Sequence, residues 1–372
     1  MKKQPFDKYK IVDERFGFET WFDRKSGSYL RSGILDSAGK DTGADPFMAS
    51  FPHLLDIGIM GHCEHGLSGA CSLAGIQCYQ DGGNVALPNM SFENFKRIAD
   101  QCEGRVHQFA LGGRGDPDMH ENFEEIVYYS RKLGIVPNIT TSGYGMTSKK
   151  AKLIANYCGA AAVSYYRKEY TQKAIEMLTN EGISTNLHFV LGNNSIDEAI
   201  ELLKNGKLPK GVSRIIFLLF KPVGQGNYEN ILSVTDERIK VLFSLFDDPK
   251  IVDIVGYDSC SVPALVHFKS KIDPQSFDTC EGARFSAYIS ADMKMMPCSF
   301  DQQEKYAVSL NTMSIEEIWN SREFDEFRTV LGNSCPDCEK NKICLGGCPI
   351  VPEIVLCGEK QRIYKGGKQY EV

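Results

Sequence analysis

From residue 54 onward, short apolar runs alternate with amphipathic stretches along the chain. The first run, LLDIGIM at 54–60, has the length and apolar content of a buried strand. Ser91 stands where an amphipathic stretch begins and is a plausible helix N-cap. The predicted strands are 54–60, 106–111, 135–140, 160–166, 184–191 and 213–220, and the predicted helices are 91–102, 122–134, 148–157, 168–180, 195–205 and 236–246.

Six strand–helix units at this spacing predict parallel strands joined by crossover helices, in a partial barrel or an open sheet. Active sites in such folds lie at the C-terminal ends of the strands. The segment before the first strand alternates weakly and predicts a short β-hairpin with Ser26-Gly27 at its turn. After about residue 255 the alternation gives way to cysteines and short irregular segments. The predicted regions are therefore 1–53, 54–255 and 256–372.

The composition is that of a soluble globular protein, with 42% apolar and 24% charged residues. The net charge of −6 argues against a nucleic-acid partner, because proteins that grip phosphate backbones are usually basic. The basic start MKKQPFDKYK has no apolar stretch behind it, and no run reaches the roughly 18 apolar residues of a membrane helix. We therefore expect a cytoplasmic protein without a membrane partner, in which thiols stay reduced.

Thirteen cysteines in a reducing compartment indicate metal or iron–sulfur ligation rather than disulfides. The loop after the first strand carries Cys63, Cys71 and Cys78. Three thiolates on a four-iron cluster leave one iron open to a further ligand. The alternatives are small buried apolar side chains, or a zinc site that uses His62 or His65.

A second, denser group lies in CPDCEKNKICLGGC at 335–348. Its spacing also suits a zinc ribbon-like module, which is the alternative to iron–sulfur ligation here. Cys102 and Cys158 belong to neither group, and their places at predicted helix ends indicate buried structural thiols.

Taken together, residues from about 54 to 360 resemble a radical S-adenosylmethionine (radical SAM) enzyme with a C-terminal SPASM domain, similar to the peptide maturases. The first cysteine loop ends in Ile-Gln-Cys-Tyr like the family's motif, but its gaps of seven and six residues are longer than the usual three and two. RGDP at 114–117 resembles the family's Gly-Gly-Glu-Pro, and TTSGYG (140–145), VLGNN (190–194) and FKPVGQG (220–226) follow at later strand ends.

This resemblance implies an α/β fold, a partial (β/α)6 radical SAM barrel followed by a cysteine-rich SPASM domain. It implies three [4Fe–4S] clusters, one that binds S-adenosylmethionine and two auxiliary ones. The cofactor contacts that it implies are Gly115, Asp116, Ser142, Ser164 and Asn193.

The resemblance also assigns ligands. The cluster that binds S-adenosylmethionine would be held by Cys63, Cys71 and Cys78. One auxiliary cluster would be held by Cys335, Cys338, Cys344 and Cys357, and the other by Cys280, Cys298 and Cys348. Cys260 is the expected fourth ligand of the latter, with an open iron or a non-cysteine ligand as alternatives. Met293 stands where relatives have a turn glycine, so we expect a different turn there.

The activity implied is formation of a 5′-deoxyadenosyl radical that takes hydrogen from a ribosomally synthesised peptide, in thioether or carbon–carbon crosslinking or a related maturation. Expected partners are a peptide or protein substrate, an electron donor such as flavodoxin or ferredoxin, and a separate leader-binding protein, since only about fifty residues precede the first barrel strand. No side chain is assigned as catalytic acid, base or radical relay.

Two alternatives remain. Sulfatase-maturing relatives carry an aspartate directly after the cysteine that corresponds to Cys298, whereas this chain has Ser299 there and Asp301 displaced. A non-catalytic electron carrier with several clusters would explain the cysteines and the acidic charge, but not the RGDP turn.

Overall fold

The structure is a computed structural model that describes residues 8–73, 75–206, 208–268, 273, 277–358, 362–365 and 368–371. The strands are β1 Lys8–Asp13, β2 Phe18–Asp23, β3 Tyr29–Arg31, β4 Leu54–Met60, β5 Gln108–Gly113, β6 Val136–Thr141, β7 Ala160–Ser164, β8 Ser184–Leu191, β9 Arg214–Leu219, β10 Val255–Tyr257, β11 Ser286–Ile289, β12 Lys294–Met296, β13 Val308–Ser309, β14 Arg362–Lys365 and β15 Lys368–Glu371.

The helices follow the strands in the order that the sequence predicts. They are α1 Glu64–Leu67, α2 Ala70–Leu73, α3 Phe92–Asp100, α4 Phe123–Lys132, α5 Ser148–Tyr157, α6 Glu169–Asn180, α7 Ile196–Asn205, α8 Glu237–Leu245, α9 Pro249–Val252, α10 Val262–Phe268, α11 Ile315–Trp319, α12 Arg322–Asn333 and α13 Asn341–Cys344. Short 3-10 turns occur at Pro117–Met119, Tyr228–Asn230, Ser259–Ser261 and Pro352–Ile354.

One large sheet carries the predicted barrel, with strands in the order β10-β9-β8-β7-β6-β5-β4-β11-β12-β13. Strands β4 to β10 pair in parallel, and the predicted β4 to β9 and their helices lie within two residues of the expected bounds. Alternate residues of β4 face the helices, where Leu55, Ile57 and Ile59 are fully buried. The expected partial barrel is confirmed.

The sheet also extends beyond the sequence prediction. β10 adds a seventh parallel strand beside β9, and β11 from the cysteine-rich region pairs in parallel with β4. β12 and β13 then continue antiparallel. The predicted boundary at residue 255 therefore falls inside one continuous sheet, and the division into domains stays a prediction.

The N-terminal segment forms three antiparallel strands rather than a simple hairpin, and the β2–β3 turn contains Gly27 as predicted. Beneath this small sheet lie His53 and His107, which directly precede β4 and β5. Thr20 Oγ1 lies 2.9 Å from Nε2 of His107, and the Tyr29 hydroxyl lies 3.2 Å from Nδ1 of His53. The small sheet thus closes the N-terminal end of the barrel.

No helix in the described part of the chain has the length and apolar character needed to cross a membrane.

We expect acid to destabilise this junction. Burial lowers the pKa of His53 to about 4 and that of His107 to about 3, and positive charge nearby adds to both effects. Because the unfolded chain binds these protons from about pH 6.5 downward while the folded chain does not, the free energy of unfolding should fall as pH drops from 6.5 toward 4. Denaturant unfolding of the wild type and His107→Asn at pH 7.5 and 5.5 measures this. An unchanged pH dependence in the variant would contradict it.

Candidate functional site

The first cysteine loop leaves the C-terminal end of β4 and coils instead of extending. Helices α1 and α2 fill the gap from Cys63 to Cys71, and the Gly66 N–H donates to Sγ of Cys63 at 3.2 Å. Burial raises the pKa of Cys71 to about 11, and the neighbouring Cys63 and Cys78 raise it further. The three thiols are therefore close enough to interact, although their spacing in the sequence is unusually long.

The loop after β5 places a carboxylate beside these thiols. Oδ1 of Asp116 accepts the Ser142 N–H at 2.7 Å, and Oδ2 accepts the Ser142 hydroxyl. Burial raises the pKa of Asp116 to about 6, with Asp118 adding to it. At Gly115, a Cβ atom would lie 2.5 Å from the His62 carbonyl oxygen, so only glycine permits this approach of the two loops.

These two loops border a cavity of about 440 Å³ at the C-terminal ends of β4 and β5. The cavity is lined by Met60, His62, Cys63, Glu64, His65, Pro88, Asn89, Gly115, Asp116, Met119, Glu121 and Tyr144. The Cys63 thiol, the backbone of Gly115 and the Asp116 carboxylate thus meet in one cavity. This donor set fits an iron–sulfur cluster together with a ligand that carries an ammonium group.

The other predicted cofactor residues lie farther along the strand ends. Ser142 is the partner of Asp116, and Ser164 is the last residue of β7. The Asn193 carboxamide accepts from Arg238 at 2.6 Å and donates to the Glu229 carbonyl at 3.3 Å, so it fixes the loop after β8. Roles for Ser142, Ser164 and Asn193 at a cofactor stay predictions.

The structure brings Cys260 together with the three cysteines of the predicted first auxiliary site. The pKa of Cys260 is raised well above its ordinary value, with the neighbouring Cys348 thiol and burial as the main causes. Burial raises the pKa of Cys280 to about 12 and also raises that of Cys298, and Cys260 adds to both shifts. The nineteen residues between Cys260 and Cys280 therefore do not keep these thiols apart.

The four cysteines of the other auxiliary site line one small cavity beside α10. They are Cys335, Cys338, Cys344 and Cys357. Among the described residues, no three histidine, cysteine, aspartate or glutamate side chains are arranged to hold a single metal ion. Cys102 and Cys158 are buried and lie apart from these groups, in agreement with the prediction that they are structural.

The turn between β11 and β12 keeps a glycine-like backbone. Met293 has a φ of +66° and its side chain is buried. The expected change of turn at this position is therefore wrong as far as the left-handed backbone is concerned, because the packed thioether chain offsets a conformation that L-residues disfavour.

The sequence analysis missed Asp56, a carboxylate inside the barrel. It lies in β4 on the face opposite Leu55 and Ile57, directly beside Tyr288 of β11. The residue is only partly exposed, and burial raises the pKa of its carboxyl to about 7. Tyr79 is near enough to be affected by its charge. A charged residue within LLDIGIM was the available signal.

A further missed pair lies at the end of β9. The Lys221 ammonium is buried and lies 2.8 Å from Oδ2 of Asp258. FKPVGQG was noted only for its Pro-x-Gly-x-Gly pattern, and a lysine in such a loop is ordinarily exposed.

Residues 280–347 match the family model of the SPASM iron–sulfur cluster-binding domain. The chain carries a SPASM domain behind a radical SAM barrel fold. Of the solved structures, Streptococcus suis SuiB bound to its precursor peptide SuiA superposes with a TM-score of 0.69 at 13% identity, over 95% of this chain and 99% of that chain. SuiB bound to S-adenosylmethionine gives 0.63 at 16% identity, over 81% of this chain and 74% of that one.

A second relative has the same fold. The enzyme anSMEcpe with bound S-adenosylmethionine and a peptide superposes with a TM-score of 0.60 at 18% identity, over 80% of this chain and 89% of that chain. No curated protein matches the chain in sequence. The SPASM domain and these neighbours support the expected cofactors, iron–sulfur clusters and S-adenosylmethionine.

We expect Asp56→Asn to stabilise the protein increasingly as the pH rises. The folded pKa of about 7 lies above the value of an unfolded aspartate, so the wild type loses stability as pH rises toward 7 and then levels off. The gain of the variant in free energy of unfolding should therefore grow between pH 5.5 and 7. Asp41→Asn is the control, since hydrogen bonds from Gly43 and Gly33 lower the pKa of that exposed carboxyl. A gain independent of pH for Asp56→Asn would contradict the assignment.

Proposed function

We propose that this protein is a radical SAM enzyme that modifies a ribosomally synthesised peptide. The observation that carries the proposal is the cavity in which Cys63, Gly115 and Asp116 meet at the C-terminal ends of two barrel strands. An electron carrier would need the thiols but not a hollow with a carboxylate beside them. A peptide as substrate is supported by neighbours of the same fold that are bound to peptides.

In this proposal, Cys63, Cys71 and Cys78 hold the first cluster. When bound, the cluster and S-adenosylmethionine supply a 5′-deoxyadenosyl radical that takes a hydrogen atom from the substrate. Asp116, held in place by Ser142, pairs with the ammonium group of the cofactor, and Gly115 lets the backbone approach it. The barrel strands keep water and competing hydrogen donors away from the reacting carbon.

The remaining thiols form two auxiliary sites, with Cys260 as the fourth ligand of the first. The effect of Cys348 on the pKa of Cys260, and that of Cys260 on the pKa values of Cys280 and Cys298, support that assignment. A flavodoxin- or ferredoxin-type protein would supply the electron.

The sulfatase-maturing alternative is less well supported. Asp301, the displaced aspartate, is buried, and its two carboxylate oxygens accept the backbone N–H groups of Lys305 and Tyr306 at 3.1 and 2.9 Å. A carboxylate that closes its own loop in this way is poorly placed to act as a base. Similarity to anSMEcpe concerns the fold and does not distinguish the two activities.

Cluster content is the first test. Anaerobically purified protein should contain about twelve iron and twelve sulfide per chain, and a Cys63/Cys71/Cys78→Ala variant about four fewer of each. The wild type, once reduced, should convert S-adenosylmethionine to 5′-deoxyadenosine, and the variant should not. Zinc without sulfide, or equal iron in both proteins, would remove the radical mechanism.

Asp301→Ala tests the alternative. We expect cleavage of S-adenosylmethionine at the wild-type rate and a loss of about 1–3 kcal/mol in the free energy of unfolding, because the buried Tyr306 N–H and the part-buried Lys305 N–H lose their acceptor. Asp301→Asn, which keeps one carbonyl acceptor, should lose less. Unchanged stability, with loss of peptide turnover while cofactor cleavage is preserved, would instead favour a catalytic base at Asp301.

A further inference from the structure

Lys221 is a fixed cation in the protein interior. Its side chain is 1% exposed, and Nζ donates to the Leu219 carbonyl at 2.9 Å as well as to Asp258 at 2.8 Å. Asp258 is fixed in turn, since the Ser261 hydroxyl donates to it at 2.9 Å and the Leu219 N–H at 3.2 Å. Neither charge can move into solvent without breaking several hydrogen bonds.

This pair lies against the first auxiliary site. Asp258 stands two residues before Cys260 and accepts a hydrogen bond from the hydroxyl of Ser261, which directly follows Cys260. The Lys221 Nζ lies 4.3 Å from the centre of the Phe300 ring, two residues after Cys298. The ion pair thus contacts segments that carry two of the four cysteines of this site.

The same ring contacts the first cysteine loop. The Phe300 and Tyr79 rings lie 4.5 Å apart between centres, with their planes 35° apart, and Tyr79 directly follows Cys78. The loop that carries Lys221 also packs on this segment, since the Gln225 N–H donates to the Cys78 carbonyl at 2.9 Å. At Gly224 a Cβ atom would lie 2.6 Å from that carbonyl oxygen. Lys221 is therefore located where the two cysteine groups meet.

A buried ion pair at this place would contribute little to the stability of the fold, because desolvating two charges offsets most of their attraction. An iron–sulfur cluster beside the pair gives the two charges a second effect, on the reduction of that cluster. Reduction adds one negative charge to it, and at low dielectric a fixed cation nearby stabilises the reduced form while a fixed anion destabilises it. Net charge around a cluster is one of the factors that set its reduction potential.

We propose that Lys221 and Asp258 act together to set the reduction potential of the cluster held by Cys260, Cys280, Cys298 and Cys348. Lys221 raises that potential and Asp258 lowers it. Both are positioning residues, because they act through the cluster and not on the substrate. The inference rests on the proposed function only for the presence of this cluster, and not for its substrate.

The test is a potentiometric titration followed by electron paramagnetic resonance, on protein that also carries Cys63/Cys71/Cys78→Ala and so retains only the auxiliary clusters. The signal that disappears in Cys298→Ala identifies the cluster concerned. Lys221→Met should shift its midpoint potential downward, Asp258→Asn should shift it upward, and the double variant should fall between the two. Lys221→Arg keeps the charge and should stay near the wild type.

Lys240→Met is the control, since Lys240 pairs with Glu237 on the exposed face of α8. It removes the same charge and should leave the potential unchanged. Unchanged potentials in Lys221→Met and Asp258→Asn at full iron content would overturn the proposal, as would shifts of the opposite sign. If Lys221→Met does not retain iron, Asp258→Asn and the double variant still decide the question. Failure of wild-type protein to cleave S-adenosylmethionine would count against the proposed function and leave this result standing.

Discussion

Strand β4 is hydrogen-bonded in parallel on both sides, to β5 and to β11. The pairing with β5 brings the loop of Cys63 beside the loop of Asp116, because parallel strands end at the same edge of a sheet. The pairing with β11 joins the cysteine-rich region to the same edge. If the pairing with β11 slipped by one residue, Asp56 would lose its place beside Tyr288. If the pairing with β5 slipped, the two loops would no longer border one cavity.

Around this edge the protein buries groups that solvent would otherwise stabilise. Asp116 has Ser142 as a donor on both carboxylate oxygens, and Lys221 has Asp258 and a backbone carbonyl. Asp56 has no charged partner among the described residues, and its raised pKa shows the cost of that position. Buried polar groups are usually paired, and Asp56 is the exception among the groups named here.

The sequence was sufficient to predict the strands and helices that depend on local hydrophobic pattern. Apolar runs and amphipathic stretches predicted the strands from 54–60 to 213–220 and their helices, and the barrel was confirmed. It could not predict β11 beside β4, because that pairing joins residues more than two hundred positions apart. The Asn193 side chain illustrates a second limit, since it contacts Arg238 of α8 and the Glu229 carbonyl of a 3-10 turn, and these elements meet only through the folded sheet.

The long first cysteine loop follows from the same reasoning. Gaps of seven and six residues would separate thiols widely if the chain were extended, but helices α1 and α2 each shorten the path to about 1.5 Å per residue. Cys63 itself caps the first of these helices through its sulfur, so the coiling begins at a ligand. The added residues also contribute to the rim of the cavity, where His65 contacts Tyr144 with ring centres 4.7 Å apart. The longer spacing of the cysteines therefore adds side chains to the wall of the cavity.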